Sequence, residues 1–325
     1  MSHDGDDAAS SEGPTAIEPP PAAAAGQGAL VPGTVLAGRY EVRAVIGRGG
    51  VGLVVEAHDR TLGVAVAIKI VRAELAGERE WSERLAREVK LARQIQHPNV
   101  CRVFDFAQAD GRAFLIMELA TGGTLRDEIR NATTCARPLG DRISDARALA
   151  AGLAAIHAAG IVHRDISPQN ALRMSDGRLI LSDFGLATDS FDGTTSIHGG
   201  TVAYMAPEVL RGARANVAGD LWALGAVIHE IVFGERLQWN AQMAEMRSSV
   251  AGRRLSPVER SIYEICRACL ATHPARRPPS AAEIAGRLSD VGLARSAGRR
   301  TRQRAALAIA AAGIALLAVV GGKRI

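Results

Sequence analysis

The stretch that most constrains this chain is His163-Arg164-Asp165-Ile166-Ser167-Pro168-Gln169-Asn170, followed after twelve residues by Asp183-Phe184-Gly185. Two carboxylates and an amide fall on short loops beside apolar runs such as Leu179-Ile180-Leu181. Polar groups on loops that a packed scaffold positions are where chemistry concentrates. Here one acid can receive a proton while the other acid and the amide hold cations. An amphipathic helix over 145–159, with Leu149, Leu153 and Ile156 on one face, delivers the chain to this stretch.

Upstream, Tyr40, Val42, Val45 and Ile46 read as a strand that enters Gly47-Arg48-Gly49-Gly50-Val51-Gly52-Leu53-Val54. Glycines of this spacing let backbone N–H groups approach phosphates closely. Dinucleotide-binding folds share the spacing, but there a helix follows. Leu53 to Ala57 reads instead as a second strand, which makes the loop a strand–loop–strand flap. Val64 to Val71 is a third strand, apolar except for Lys69. The chain has three lysines against 36 arginines, so a lysine in an apolar strand stands out. A buried ammonium needs an anionic partner. The helix predicted over 78–95 supplies Glu88 on the flank of the face formed by Trp81, Leu85, Val89 and Ala92, with Glu83 the less suitable candidate. His97-Pro98-Asn99 ends that helix, and Phe114 to Leu119 forms a further strand leading to Thr121-Gly122-Gly123.

Residues 220–233 are apolar nearly all round, the pattern of a helix buried at the centre of a lobe, and Asp220 at the start of the run can cap its N–H groups. Cys266 and Cys269 sit in an apolar helical pattern with no second ligand pair nearby, so they read as small core residues and not as a zinc or redox pair. Four cysteines in all give no disulfide framework, which fits a reducing compartment.

These motifs, in this order, resemble a eukaryotic-type (Hanks-type) serine/threonine protein kinase of the bacterial kind, over residues of about 38–290. The resemblance implies an α+β, two-lobed fold, with a small β-rich N-lobe over about 36–118 and a larger helical C-lobe over about 119–290. It implies ATP and Mg²⁺ as cofactors. Gly47, Arg48, Gly49, Gly50, Gly52, Val54 and Ala67 would surround the nucleotide, Lys69 would hold its α/β-phosphates with Glu88 as partner, and backbone groups near Glu118 and Leu119 would bond adenine. Met117 would line the back of the adenine pocket. Asp165 would take the proton of the substrate hydroxyl, and Asn170 and Asp183 would hold the metal. Arg164 would meet a phosphate added to the segment between Asp183 and Glu208, with Thr194, Thr195 and Ser196 as acceptors, while Thr201 would shape the acceptor site. Arg277 would pair with Glu208, and Asp220 would tether the backbone of the catalytic loop.

One position departs from the family: Ser167 stands where a serine/threonine kinase has Lys. The loop also lacks the pattern that tyrosine kinases carry there. The resemblance therefore implies phosphoryl transfer to protein Ser/Thr hydroxyls with regulation by autophosphorylation, a dimer being one route to it in trans. The alternative is a pseudokinase scaffold that binds ATP without efficient transfer.

Charge is uneven along the chain. The net charge is +5, yet residues 1–35 carry five acids and no Lys or Arg, and residues 295–325 carry seven Lys/Arg and no acid. No basic stripe with interleaved aromatics occupies the middle, which argues against a nucleic-acid partner. Residues 1–35, rich in Ala, Pro, Gly, Ser and Asp, read as a disordered leader. Residues 291–304 form a basic linker, and residues 305–322 run without a charge for the length of a bilayer crossing. Arginines at 299, 300, 302 and 304 then place the catalytic part on the cytoplasmic side of a single-pass membrane protein.

Overall fold

The structure, a computed structural model, describes residues 30–48, 52–71, 79–109, 112–131, 136–184, 202–240, 245–247 and 249–293. Residues 1–29, Gly49, Gly50, Gly185, Thr194, Thr195, Ser196, Thr201, most of the basic linker and the whole 305–322 segment lie outside them. No helix among the described residues is long and apolar enough to cross a membrane.

The architecture is the two-lobed α+β one predicted. Strands β1 (Val35–Leu36), β2 (Tyr40–Arg48), β3 (Gly52–Asp59), β4 (Val64–Val71), β5 (Val103–Ala109) and β6 (Arg112–Met117) form one antiparallel sheet in the order β1-β2-β3-β4-β6-β5. Its core joins Tyr40, Val42, Val55, Ala57, Val66, Ile68, Phe114 and Ile116. Leu30 packs against this core and Val42 N donates to Thr34 O, so the chain joins the lobe ahead of Val35. Helix α1 (Arg79–Ala92) lies between β4 and β5 in the chain and buries Leu85, Val89 and Ala92.

The second lobe is built from α2 (Leu125–Arg130), α3 (Leu139–Ala158), the hairpin β7 (Ala171–Arg173) and β8 (Leu179–Leu181), α4 (Pro207–Leu210), α5 (Val217–Phe233), α6 (Pro257–Cys269) and α7, helical over 281–293. Helix α3 begins six residues before the predicted start, because Pro138 opens it and Ile143 and Ala146 continue the buried face. Helix α5 is the central post. Thirteen of its seventeen residues are buried, as its all-round apolarity predicts, and Gly234 ends it in the left-handed conformation at φ 73°. The cap differs from expectation. Asn216, with its side chain accepting from Gly219 N, starts the helix, while Asp220 lies one turn in and serves the catalytic loop.

Helices α5 and α6 touch at Gly225, where a Cβ atom would lie 2.4 Å from Cys269 Cβ. Cys266 and Cys269 are core residues of this contact, both buried, and burial pushes the Cys269 thiol up to about 12. Thiols held protonated in this way are inert.

Candidate active site

The catalytic loop hangs from Asp220. Its carboxylate accepts from His163 N at 2.7 Å and from Arg164 N at 2.8 Å. His157 Nε2 lies 2.8 Å from the same group, and since a carboxylate only accepts, that nitrogen carries the proton. These bonds hold Arg164 at φ 72°, a left-handed conformation that a residue with a Cβ adopts only when its surroundings compel it. Asp183, at φ 61°, also lies in the left-handed region. His163 is fully buried and meets Phe184 edge to face at 6.3 Å, joining the two loops.

Asn170 closes the loop. Its side-chain amide donates to Asp165 O at 2.7 Å and to Asp165 Oδ2 at 2.8 Å. Its NH₂ group is thereby spent on Asp165, and the amide oxygen is the atom suited to a cation. Ser182 N donates to Asn170 O at 2.8 Å, which sets the residue before Asp183 against the loop. Asp165, Asn170 and Asp183 are thus brought together as predicted. Asp165 Oδ1 is buried without a partner among the described residues, where a substrate hydroxyl can supply the missing donor.

The pairing of charges differs from the predicted one. Lys69 Nζ lies 2.7 Å from Asp183 Oδ1, not on Glu88. Glu88 Oε1 lies 3.8 Å from Arg164 Nη1. The physical reason is local. A nearly buried ammonium requires one ionised partner, and the carboxylate of Asp183 provides it at contact distance. The Glu88 carboxylate, on the flank of α1, then answers the guanidinium of Arg164 instead.

The side assigned to adenine carries an apolar cluster. Ala67, Cys101, Met117 and Ile180 are its buried members, with Val54, Leu119, Ala120 and Leu172 packed against them. Val54 and Ala67 come from strands of the first lobe, Leu172 from β7 of the second. Glu118 N is committed to Arg102 O at 2.9 Å, so of that residue's backbone only the carbonyl is available to a base. Cys101, Ala120 and Leu172 belong to this cluster although the motifs did not identify them.

In the glycine flap, Gly47 pairs with Val54 and Arg48 with Leu53. A Cβ on Gly52 would lie 1.9 Å from Ile70 O. Close approach to β4 therefore demands glycine there, independently of any phosphate.

Two further clamps set the site's walls. Arg277, its side chain fully buried, meets Glu208 with two bonds of 2.6 and 2.8 Å, the pair that the resemblance implied, and stacks on Trp222 at 5.0 Å. Burial pushes the Glu208 carboxyl up, but the bonds and charge of Arg277 outweigh it and hold that group below its usual value. The other clamp was not legible. Arg173 donates to Glu128 at 2.7 Å and to Asp145 at 3.0 Å, while its backbone exchanges bonds with Gly122 and Gly123. It rivets the segment that follows Leu119 to β7 and hence to the catalytic loop.

His163 and His229, both nearly inaccessible, are held below the usual imidazole value by burial. The folded protein refuses protons there that the unfolded chain accepts. Stability is therefore complete above about pH 6.5 and falls below it, by up to roughly 1.4 kcal/mol per pH unit for each histidine. Thermal unfolding followed from pH 7.5 to 5.5 is expected to show a steadily lower midpoint, and a flat profile would contradict neutral burial of these rings.

The family model described as "Protein kinase domain" matches residues 40–288. Among curated proteins the chain is similar to the probable serine/threonine-protein kinase pknA2 of Bifidobacterium longum, 36% identical over 210 residues, which is 63% of this chain and 28% of that protein. It is similar to the serine/threonine-protein kinase PrkC of Bacillus subtilis, 35% identical over 218 residues, 65% of this chain and 33% of that one. It is likewise similar to PknA of Mycobacterium tuberculosis, 35% identical over 212 residues, with 63% and 49% covered. The chain thus spans half or less of the length of these relatives. Among solved structures, the PknI kinase domain of Mycobacterium tuberculosis superposes with a TM-score of 0.64 at 25% identity, covering 81% of this chain and 99% of that domain.

Proposed function

Because the chain belongs to the protein kinase domain family, we propose that it is a serine/threonine protein kinase that moves the γ-phosphoryl group of ATP to protein Ser or Thr hydroxyls. The observation that carries the reading is the unpartnered Asp165 Oδ1 beside Asn170 and Asp183. Asp165 receives the proton of the acceptor hydroxyl. Asn170, bonding the other carboxylate oxygen, keeps Oδ1 turned to that task. Asn170 and Asp183 offer the oxygen donors that a hard cation takes, and two such ligands plus phosphates are the usual protein share of a Mg²⁺ site. A Mg²⁺ ion held by Asn170 and Asp183 would supply positive charge to the nucleotide phosphates. Lys69 supplies a point charge to the phosphates, and the apolar cluster from Val54 to Leu172 excludes water from the base. Catalysis is then positioning and electrostatics, with little covalent work for the protein.

Regulation follows from the charge pairs. Arg164 is engaged with Glu88, and Lys69 with Asp183. A phosphate on Thr194, Thr195 or Ser196 would attract Arg164 more strongly than one carboxylate does. Glu88 would then be released towards Lys69, and Asp183 towards the cation. Autophosphorylation, in trans within a transient dimer, is the reaction that would install that phosphate. Purified full-length chain given Mg-ATP is expected to incorporate phosphate on Ser or Thr within residues 185–201, and Asp183→Asn to lower the rate by roughly 10²–10³-fold or more. Nucleotide binding without any incorporation by the wild type would favour the pseudokinase reading instead.

Residues 305–322, uncharged and flanked by arginines, support a single-pass anchor with the kinase domain in the cytoplasm. The full chain is expected to stay with membranes through an alkaline wash, and a chain truncated after Gly298 to be released. Equal release of both would remove the anchor.

A further inference from the structure

Arg173 commits all five of its donors. Nε and Nη2 donate to the two Glu128 oxygens at 2.7 and 2.9 Å, Nη1 and Nη2 to the two Asp145 oxygens at 3.0 Å each, and Nη1 also to Gly177 O at 3.0 Å. Only a guanidinium can do this, because its N–H groups form a rigid planar fork. Arg137 adds a second cation, bonded to Asp145 and 3.7 Å from Glu128, so two guanidinium groups face two carboxylates. Burial works against the charge on Arg173, but the bonds and charges of Glu128 and Asp145 outweigh it. The transfer mechanism uses none of these four side chains. Stability alone is a poor reason for them, since apolar residues of similar volume often replace buried ions without loss.

The clamp is fastened to the nucleotide side at two points. Along the backbone, Gly122 N donates to Arg173 O at 2.8 Å, Arg173 N donates to Gly123 O at 2.9 Å, and Thr124 bridges to Leu172. The fit is close: a Cβ atom on Gly122 would lie 2.7 Å from Arg173 O. Through side chains, Arg173 holds Glu128 of α2, the helix that Thr124 caps. Residues 122–124 therefore run beside β7 and cannot shift along it without breaking the clamp. Leu119 and Ala120, just ahead of this run, and Leu172, just ahead of Arg173, all pack against the apolar cluster assigned to adenine. Asn170 is held separately, through Asp165 and Ser182, so the clamp bears on the base and not on the transferring group.

Resting on the kinase reading, we propose that Arg173 is a positioning residue for the nucleotide: clamped by Glu128 and Asp145, it fixes Leu172 relative to Leu119 and Ala120 and so sets the affinity for the adenine ring of ATP.

The test titrates full-length wild type, Arg173→Lys, Glu128→Gln and the double variant with Mg-ATP by calorimetry. Phosphate transfer at varied ATP is assayed alongside, below the thermal midpoint of each protein. Arg173→Lys keeps the charge and the backbone bonds but cannot span both carboxylates. It is expected to bind ATP about tenfold more weakly, roughly the worth of one misplaced apolar contact, with KM for ATP rising in step and kcat within about twofold of wild type. Glu128→Gln, which leaves the Arg173–Asp145 bonds in place, is expected to lose about threefold in affinity, and the double variant no more than Arg173→Lys alone, because both changes cut one clamp. A lower midpoint with ATP affinity and KM at wild-type values would reduce the clamp to a structural role and overturn the proposal. So would a fall in kcat at unchanged KM, or additive losses in the double variant. Should Arg173→Lys fail to fold, Glu128→Gln decides alone, and unchanged ATP affinity in it sinks the proposal. If wild type binds ATP and transfers none, the kinase reading fails while the affinities still decide the role of Arg173. If wild type binds no ATP, both fail.

Discussion

The buried carboxylate of Asp220 is the constraint on which the rest of the site depends. It satisfies two backbone N–H groups and one imidazole, and through them imposes a left-handed turn on Arg164. Hydrogen bonds to an ionised acceptor are among the stronger ones available to a protein. That strength maintains a backbone conformation costing of the order of 1–3 kcal/mol. The rigidity behind it comes from α5, buried on nearly every side. The same helix places Trp222 under Arg277, Glu230 against Tyr204, and Gly225 against α6. The catalytic loop, the segment around Glu208 and the helical core are therefore referred to one element.

Around this fixed frame the charged side chains are arranged differently from the chemistry they would serve. Lys69 and Asp183 neutralise each other, as do Arg164 and Glu88 at longer range. Each pair is partly shielded from water, so each charge needs some partner, and several partners lie within reach. On the proposed function, phosphate and Mg²⁺, both more highly charged than a side chain, would be the agents that change this pairing.

Much of this was legible in the sequence because local spacing encodes it. Periodicity located α1, α3, α5 and the strands β2, β3, β4 and β6, and the order of the motifs brought Lys69, Asp165, Asn170 and Asp183 to one place. The Arg277–Glu208 pair was legible too, although the residues are 69 apart. What escaped depends on three-dimensional competition. Spacing identifies Glu88 as an acid near Lys69, but it cannot weigh Glu88 against Asp183 for the same ammonium. The Arg173–Glu128–Asp145 clamp joins three residues of ordinary type from three elements, with no motif to mark them. Asp220 had the composition of a cap and one turn less exposure than a cap has. Gly52 belongs to a phosphate-loop pattern, yet the neighbouring strand alone would require it. Short strands such as β7 carry too few residues to show a period.

The central claim is that these charges exchange partners when the site is made ready for transfer. A crystal structure of the chain phosphorylated within 185–201 and bound to a non-hydrolysable ATP analogue with Mg²⁺ tests it most directly. The account predicts Lys69 within salt-bridge distance of Glu88, Asp183 and Asn170 on the metal, and Arg164 on the phosphorylated residue. Persistence of the Lys69–Asp183 and Glu88–Arg164 pairs in that complex would contradict it.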